Sequence, residues 1–292
     1  MIEYLLNMTI LVLIFVILAM SLDLVIGHTG ILSLAHASFF AIGAYTMALG
    51  STLAEWSFLS GLAAGAIASS CIAVLFFFPA IRLKGDMLVI STFCFQVIVY
   101  SLLLNWTDLT GGPMGIPNLP RPEIFGLRFV TSGQFLLLVT IFFILTFFVT
   151  YRLTTGAYGR TLHAIRESAD LAAALGKNVS VIRAQIFAIS GALAAMSGGL
   201  YAAYVSFVDP SSFTIMQSIL IVAMVILGGP GTLCGPLIGA ILLVTLPEIL
   251  RFAGIPASTA GHIQEITYGL ALVFLMIFRP RGLLRGVEIG RS

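Results

Sequence analysis

Three side chains that can bind or transfer protons lie close together near the start of the chain, in a stretch that is otherwise apolar. Asp23, His28 and His36 occur in SLDLVIGHTGILSLAHASFFAIGAYTMALG, which covers residues 21–50. Ionisable groups inside a membrane usually face the interior of a helix bundle or a transport pathway. Their spacing does not match the HExxH pattern of zinc hydrolases, and no serine or cysteine triad accompanies them. They therefore predict a pathway or a polar contact between helices rather than an intramembrane hydrolase.

The composition excludes a water-soluble domain. The 292 residues are 59% hydrophobic and 9% charged, with a mean hydropathy of +1.10, whereas soluble domains carry about 25% charged residues. The net charge of +2 gives no indication of a nucleic-acid partner. Three isolated cysteines show neither metal-binding spacing nor obvious pairing, and we expect packed thiols at Cys71, Cys94 and Cys234.

Apolar runs long enough to cross a bilayer predict an all-α polytopic membrane protein. A crossing helix needs about 20 mostly apolar residues, and no stretch between the runs could form a sizeable soluble domain. We therefore expect a single transmembrane domain over residues 1–292, with about 8–10 transmembrane helices including a broken or re-entrant element near 21–35. The candidate spans are 8–27, 31–50, 58–80, 87–105, 133–151, 184–205, 214–229, 235–251 and 263–278.

The broken element is expected because Gly27 and Gly30 flank a polar pair, His28 and Thr29. This pattern predicts a half-helix, a turn and a second helix from about Ser33. Transporters use such breaks next to the substrate route, but small residues also simply allow close helix packing, which suits Gly43. Both interpretations stay open. The residues proposed for the pathway are Asp23, Gly27, His28, Gly30, Ser33, His36, Gly43 and Tyr45.

Basic residues predict the orientation, because cytoplasmic loops collect Lys and Arg. Three basic regions alternate correctly if each is cytoplasmic, which puts the C-terminus in the cytoplasm and residues 106–132 outside. Simple counting puts the N-terminus outside, whereas a re-entrant 21–35 would put it inside. The basic residues are Arg82 and Lys84, then Arg152, Arg160, Arg166, Lys177 and Arg183, and finally Arg279, Arg281, Arg285 and Arg291.

The opening stretch also carries a family resemblance. LDLVIGHTGILSLAHASFFAIGAY resembles the signature of membrane permeases in branched-chain amino acid ABC importers, and is most similar to the M-type subunits of leucine–isoleucine–valine systems. Ala35 and Ala37 stand where family members often have Gly, so small side chains are kept. The matching positions are Asp23, Gly27, Gly30, Leu32, Ser33, Leu34, His36, Phe39, Ile42, Gly43, Ala44 and Tyr45.

Further motifs follow in the family's order and cover about residues 30–290. RLKGDMLVISTFCF and TGGPMGIP resemble a cytoplasmic turn that opens a helix and an external Thr-Gly-Gly loop. The family's cytoplasmic loop is resembled by GRTLHAIRESADLAAALGKNV. Its Gly-Pro turn is resembled by LGGPGTLCGPLIGA, and its terminal Arg-Pro-x-Gly-Leu motif is resembled by IFRPRGLL. Each motif alone is weak, but the ordered set is specific.

The resemblance implies a non-catalytic permease subunit of an importer for Leu, Ile or Val in the bacterial inner membrane. It implies four partners: a second, homologous permease in a heterodimer, two ATP-binding cassette ATPases that bind ATP and Mg²⁺, and an extracytoplasmic binding protein. The same motifs occur in importers of urea and short amides, which remain an alternative. An ion-coupled secondary transporter is less favoured, because Asp23 is the only clear acidic candidate inside the spans.

Residues 152–183 form the cytoplasmic coupling loop that the resemblance implies. Residues 170–177 are predicted to form a helix that ends at Gly176, and this glycine could also act as a hinge. Arg166 and Asp170 are four residues apart and could form an ion pair on one helix face. LAAALGKNV is not a phosphate-binding loop, because Leu171 and Asn178 replace the required Gly and Ser or Thr. The resemblance implies docking into an ATPase groove; a basic loop on anionic lipid is the alternative. The residues proposed for coupling are Arg160, Arg166, Glu167, Asp170 and Gly176.

Overall fold

A computed structural model describes residues 2–80, 83, 85–124, 127–129, 131–252, 269–270 and 282–284. The described part is mostly helical, which confirms the predicted all-α membrane fold. Five helices, α1, α3, α4, α6 and α9 below, are long and apolar enough to cross a membrane. In chain order the helices are α1 (Ile2–Thr29), α2 (His36–Leu53), α3 (Phe58–Ala80), α4 (Asp86–Asn105), α5 (Thr107–Thr110), α6 (Ser132–Thr155), α7 (Ala157–Glu167), α8 (Ala169–Ala174), α9 (Val179–Val205), α10 (Ile215–Gly228) and α11 (Gly235–Phe252).

The predicted spans agree closely with these helices, because the length of an apolar run determines both the predicted span and the helix that forms. The span 58–80 coincides with α3, and the spans from 87, 133, 184, 214 and 235 correspond to α4, α6, α9, α10 and α11. The largest differences lie at three helix starts: α1 begins at Ile2 rather than near residue 8, α2 at His36 rather than near residue 31, and α9 at Val179 rather than near residue 184. The predicted span 263–278 lies outside the described residues, apart from residues 269–270.

Helix α1 lies at the centre of the bundle. It is apolar all round, and 78% of its most apolar window is buried, against 17% for α4. It packs against α6, α9, α10 and α11 along its length and against α7 at its C-terminal end. A helix that is hydrophobic on every face is expected to be a core helix. The exposed apolar faces of α3, α4 and α6 are left for lipid or another membrane chain.

Small residues allow α2, α3 and α9 to approach closely. A Cβ at Gly43 of α2 would overlap the backbone of Ala195 in α9, and one at Gly198 would overlap the carbonyl of Phe40. A Cβ at Gly65 of α3 would lie 3.4 Å from the Cα of Gly43. Small residues at such contacts are typical of helix packing in membranes.

The two ends of the bundle differ in what they carry. Helices α1 and α9 run antiparallel, since Ser197 of α9 bonds the carbonyl of Ile14 and Ser190 bonds that of Ser21. The C-terminus of α1 therefore lies beside the N-terminus of α9, together with α7 and α8; we call this the α7 end. The opposite end, called the loop end, carries the N-terminus of α1. At the loop end β1 (Ile116–Pro117) pairs antiparallel with β4 (Phe207–Val208), while β2 (Glu123–Ile124) pairs with β3 (Leu127–Arg128).

Helices α10 and α11 form a hairpin whose connecting turn, residues 229–234, lies at the α7 end. Its α11 arm runs back towards the loop end, where Glu248 accepts a hydrogen bond from Tyr4 of α1. Residues 282–284 return to the connecting turn, because the amides of Leu283 and Leu284 donate to the carbonyls of Leu227 and Gly228. The predicted basic residues Arg82, Lys84, Arg279, Arg281, Arg285 and Arg291 lie outside the described residues.

The cysteines differ from the expectation of packed thiols. Cys71, Cys94 and Cys234 are free, and all are exposed on the surface of the chain. Cys71 and Cys94 belong to α3 and α4, whose outer faces carry apolar side chains. An apolar run in the sequence does not distinguish a core-facing thiol from one on the outer face.

Candidate functional site

The chain is non-helical between α1 and α2, where it turns back into the helix bundle. Gly30 has a φ of +73°, and α2 begins only at His36. The imidazole Nε2 of His36 lies 2.8 Å from Ser190 Oγ, which itself bonds the carbonyl of Ser21. Ser21 is eight residues before Thr29 in α1, so the segment descends about 12 Å from the end of that helix. The predicted break therefore exists, but it spans residues 30–35.

The details of the break differ from the sequence prediction. Gly27 and His28 lie within α1, which continues to Thr29, and the second helix starts at His36 rather than at Ser33. Apolar neighbours and contacts on all sides keep α1 helical through Gly27. Ser33 instead lies within the break, where its Oγ accepts from the amide of Ala35, the N-cap residue of α2, at 3.3 Å.

Side chains from other helices accept hydrogen bonds from backbone amides in this break and in the first turn of α2. The amide of Leu34 donates to Thr92 Oγ1 of α4 at 3.1 Å, and the amide of Ala37 donates to Ser218 Oγ of α10 at 3.1 Å. Unpaired amides are costly in a membrane, and irregular backbone is tolerated only where protein or a water-filled cavity surrounds it. The segment is thus held in place by α4 and α10.

A buried glutamine joins the same three helices. Gln96 of α4 accepts from Ser38 Oγ at 2.6 Å and from Ser218 Oγ at 3.3 Å, and it donates to the carbonyl of Phe213 at 2.8 Å. Sequence analysis missed Gln96, Ser190 and Ser218. The available signal was the amide of Gln96 within the apolar span 87–105.

The eight residues predicted for the pathway divide among different surroundings. Ser33 lies in the break, and His36 follows the break as the first residue of α2. The Nδ1 atom of His36 is buried without a hydrogen-bond partner among the described residues. Gly43 lies in the close contact with α9 described above. Tyr45 packs against Phe213, with ring centroids 6.0 Å apart. The structure places the other four, Asp23, Gly27, His28 and Gly30, at the C-terminal end of α1.

The coupling loop docks on that end of α1. Arg166 of α7 donates a hydrogen bond to the carbonyl of Gly27, and a Cβ at Gly30 would lie 3.3 Å from its Cγ. Burial lowers the pKa of Arg166 below its ordinary value, while the nearby carboxylates of Asp23 and Glu167 act in the opposite direction. A cation at the C-terminus of a helix is stabilised by unpaired carbonyls and by the helix dipole.

Asp23 and His28 connect the end of α1 to its neighbours. Asp23 Oδ1 accepts from the amide of Gly231 at 2.8 Å, and Asp23 Oδ2 lies 3.7 Å from His28 Nε2. The ring of His28 makes an edge contact with His163 of α7, with centroids 5.8 Å apart. Sequence analysis identified Asp23 and His28 but missed His163 and Gly231, because only the fold brings them together.

Helix α8 ends as the sequence predicts. Gly176 has a φ of +79°, with its amide bonded to the carbonyl of Ala173 and the amide of Lys177 bonded to that of Ala172. This is the Schellman arrangement that favours glycine. The proposed pair of Arg166 and Asp170 does not share a helix face, because Ser168 ends α7 and caps α8. Arg160, Glu167 and Asp170 are exposed.

Comparison with known proteins identifies the chain. Residues 4–278 match the family model described as "Branched-chain amino acid transport system / permease component". The chain belongs to this family. The resemblance noted in the sequence motifs is thereby confirmed over most of the chain, and so is the interpretation as a transport permease component.

Individual relatives agree with the family assignment. The high-affinity branched-chain amino acid transport system permease protein LivM of Salmonella typhimurium is 36% identical over 93% of this chain and 68% of its own length. LivM of Escherichia coli K12 is 36% identical over 94% of this chain and 68% of its own length. The autoinducer 2 import system permease protein LsrC of Salmonella typhimurium is 28% identical over 62% of this chain and 51% of its own length. No solved structure matches.

The described residues offer no metal centre, since no group of three or more His, Cys, Asp and Glu side chains gathers among them. What the arrangement does provide is mechanical. A short amphipathic helix, α7, is fastened to the end of the central helix, and the non-helical segment 30–35 leads from that end into the bundle. Movement of α7 would therefore reach the membrane-embedded break through α1.

Proposed function

We propose that this chain is the permease subunit of an ATP-driven importer of branched-chain amino acids in the bacterial inner membrane. It works by alternating access and performs no covalent chemistry. The observation that carries the proposal is the docking of α7 on α1 through Arg166 and Gly27. A partner that pulls on α7 would thereby move the central helix of the bundle and the break that follows it.

The charge distribution supports a cytoplasmic α7 end. The loop end carries acidic Glu55, Asp108 and Asp209, whereas the α7 end is basic, and cytoplasmic segments collect Lys and Arg. This orientation puts the N-terminus of α1 outside and residues 282–284 inside. The basic residues at the α7 end are Arg152, Arg160, Arg166, Lys177 and Arg183.

The outer face of the coupling loop suits a protein partner. Leu171 and Leu175, four residues apart, are 68% and 80% exposed. Exposed Arg160, Glu167 and Asp170 lie in the same loop. Two apolar anchors with polar residues around them match the way in which a helix binds a groove. We assign this face to an ATP-binding cassette ATPase, which binds ATP and Mg²⁺, while Arg166 acts from the inner face.

We extend the proposal to the remaining partners, which the family's role in transport systems suggests. The complex contains two ATPase chains, an extracytoplasmic binding protein at the loop end, and a second homologous permease in a heterodimer. The exposed apolar faces of α3, α4 and α6 offer surface for that permease and for lipid. Leu, Ile and Val are the proposed substrates, because the LivM relatives cover more of this chain at higher identity than LsrC does.

Reconstitution of the complex tests the proposal. The chain is purified from membranes with its co-purifying ATPases and binding protein, placed in vesicles, and supplied with radiolabelled leucine. We expect ATP-dependent uptake that unlabelled isoleucine and valine inhibit. Uptake of labelled urea or a short amide but not of leucine would replace the substrate assignment. Uptake driven by an ion gradient without ATP would replace the importer class.

A further inference from the structure

Three motifs of the sequence meet at one turn of the fold. Asp23 comes from the first motif, residues 229–234 from the Gly-Pro turn, and residues 282–284 from the terminal Arg-Pro-x-Gly-Leu motif. They are far apart in the chain, and docking of the coupling loop alone does not explain why they converge. Their contacts define a junction between α1 and the α10–α11 hairpin.

The side chain of Asp23 forms the link on one side of the junction. Its Oδ1 accepts from the amide of Gly231 at 2.8 Å, and Asp23 is 1% exposed. The contact is tight, since a Cβ at Gly27 would overlap both the Asp23 carboxylate and the Gly231 amide. A buried carboxyl group that accepts a backbone hydrogen bond is held in a defined position, because losing that bond leaves buried polar atoms without a partner.

The coupling loop meets the same turn of α1 from the other side. Arg166 bonds the carbonyl of Gly27, four residues beyond Asp23 on the helix. Among the described elements, α7 makes its substantial contacts with α1, α6 and α8, whereas both α10 and α11 pack along α1. Helix α1 is therefore the described element that closely contacts both the coupling loop and the hairpin.

Residues 282–284 hold the hairpin turn from a third direction. The amides of Leu283 and Leu284 donate to the carbonyls of Leu227 and Gly228 at 3.0 and 3.2 Å. These carbonyls end α10 and would otherwise have no helical partner. Gly282 lies so close to Gly229 that a Cβ there would approach its backbone nitrogen at 2.6 Å.

From these contacts we infer that the last turns of α1 form a mechanical junction, and that Asp23 is the positioning residue that carries displacement of α7 to the α10–α11 hairpin. The inference rests on the proposed function and adds a route for coupling. Movement of α7 displaces the end of α1 through Arg166. The hydrogen bond between Asp23 and Gly231 then displaces the turn that connects α10 and α11. Residues 282–284 keep that turn attached to α10, so the hairpin follows as a unit.

The test is the number of leucine molecules imported per ATP hydrolysed by the reconstituted complex. Asp23→Ala removes the acceptor for Gly231 but leaves the exposed face of the coupling loop intact. We expect ATPase co-purification and stimulated ATP hydrolysis within twofold of wild type, with the ratio reduced at least tenfold. Asp23→Asn keeps an acceptor oxygen, and we expect its ratio within threefold of wild type.

A matched control and a second variant complete the design. Ser21→Ala also alters a buried polar residue of α1, but among the described residues its hydroxyl bonds only the nearby carbonyl of Leu18, so its ratio is expected to be normal. Termination after residue 281 removes the amides that hold Leu227 and Gly228 and is expected to lower the ratio at least threefold, which keeps the test decisive if Asp23→Ala fails to insert.

The outcomes separate the two proposals. A wild-type complex that imports no leucine with ATP refutes the proposed function. A wild-type complex that does import it, with an unchanged ratio in Asp23→Ala or in the truncated chain, refutes the junction alone. Loss of the ATPases in Asp23→Ala would also refute it, because Asp23 would then act on docking rather than on transmission.

Discussion

Arg166 of the coupling helix α7 donates its hydrogen bond to the backbone carbonyl of Gly27, in the last turns of the central helix α1. A guanidinium is always charged and presents several donors, so it is well suited to helix-terminal carbonyls. The residue in the basic loop that sequence reasoning assigned to a partner therefore makes an internal contact. Arg166 is still predicted to be important for coupling, but through its contact with α1 rather than through a contact with the ATPase.

Reversing the charge of Arg166 is expected to separate α7 from α1. A hydrogen bond to a charged group contributes about 1.5–3 kcal/mol, so Arg166→Glu should reduce the docked population about 10- to 150-fold. Leucine uptake in reconstituted vesicles should fall accordingly. Arg166→Lys keeps a cation and a donor, and it should retain a larger share of uptake. Normal uptake in Arg166→Glu would show that the contact plays no part in transport.

The exposed leucines in α8 and at its C-cap, Leu171 and Leu175, are expected to anchor the ATPase. Replacing Leu171 or Leu175 by Asp puts a charge into an apolar contact and should weaken association by about 2–3 kcal/mol, or roughly 30- to 150-fold. The measurement is the amount of ATPase that co-purifies with the chain. Met114→Asp is the matched control, since Met114 is 83% exposed at the opposite end. Equal recovery of ATPase with all three variants would refute the assignment.

Labelling with an impermeant thiol reagent tests the orientation. Cysteines introduced at Met114 and Leu175 are well matched, because these side chains are 83% and 80% exposed. Native Cys71, Cys94 and Cys234 are exposed and must first be replaced by Ser. In cells that express the chain without its ATPases, we expect Met114→Cys to react while the cells are intact and Leu175→Cys only after the cells are opened. The reverse pattern would invert the bundle and remove the coupling face from the cytoplasm.

The long helices could be predicted from the sequence because the length of each apolar run determines them. A run of about 20 apolar residues must become a helix in a bilayer, where every amide needs a partner. The break after α1 was also predicted, from glycines beside polar residues. Its position was not, because Gly27 is favoured by the close approach of Asp23 and Gly231 rather than by any backbone requirement.

The contacts of the site depend on chain crossings that local patterns do not contain. Gln96 meets Ser218, and Asp23 meets the amide of Gly231, only after α4, α10 and α1 have packed. Spacing along the chain suggested instead that Arg166 pairs with Asp170, because it cannot show that Ser168 interrupts the helix between them.

Substituting Gly30 tests the break itself. Its φ of +73° is unfavourable for a β-branched residue, so Gly30→Val should cost about 1–3 kcal/mol. The added side chain also approaches Arg166 Cγ. We expect normal membrane insertion with at least fivefold lower uptake. Gly133→Val is the control, since a Cβ at Gly133 meets nothing within 4 Å and its φ is ordinary. Wild-type uptake in Gly30→Val would mean that the turn can change without consequence.

The end of α8 offers a graded test of the coupling loop at Gly176. A Cβ there meets nothing within 4 Å, so only the backbone conformation, with a φ of +79°, limits substitution. Asn tolerates this conformation best, Ala loses about 1 kcal/mol, and Pro can adopt neither the φ nor the hydrogen bond from this amide to Ala173. Recovery of ATPase and leucine uptake should therefore both decrease in the order Gly, Asn, Ala, Pro, with Pro lowest by at least tenfold. Gly156→Ala is the control, because Gly156 has a φ of −91° and should behave as wild type. If Gly176→Pro retains both its ATPase and its uptake, the Schellman end of α8 does not shape the docking face, and the anchoring role of Leu171 and Leu175 would have to be independent of it.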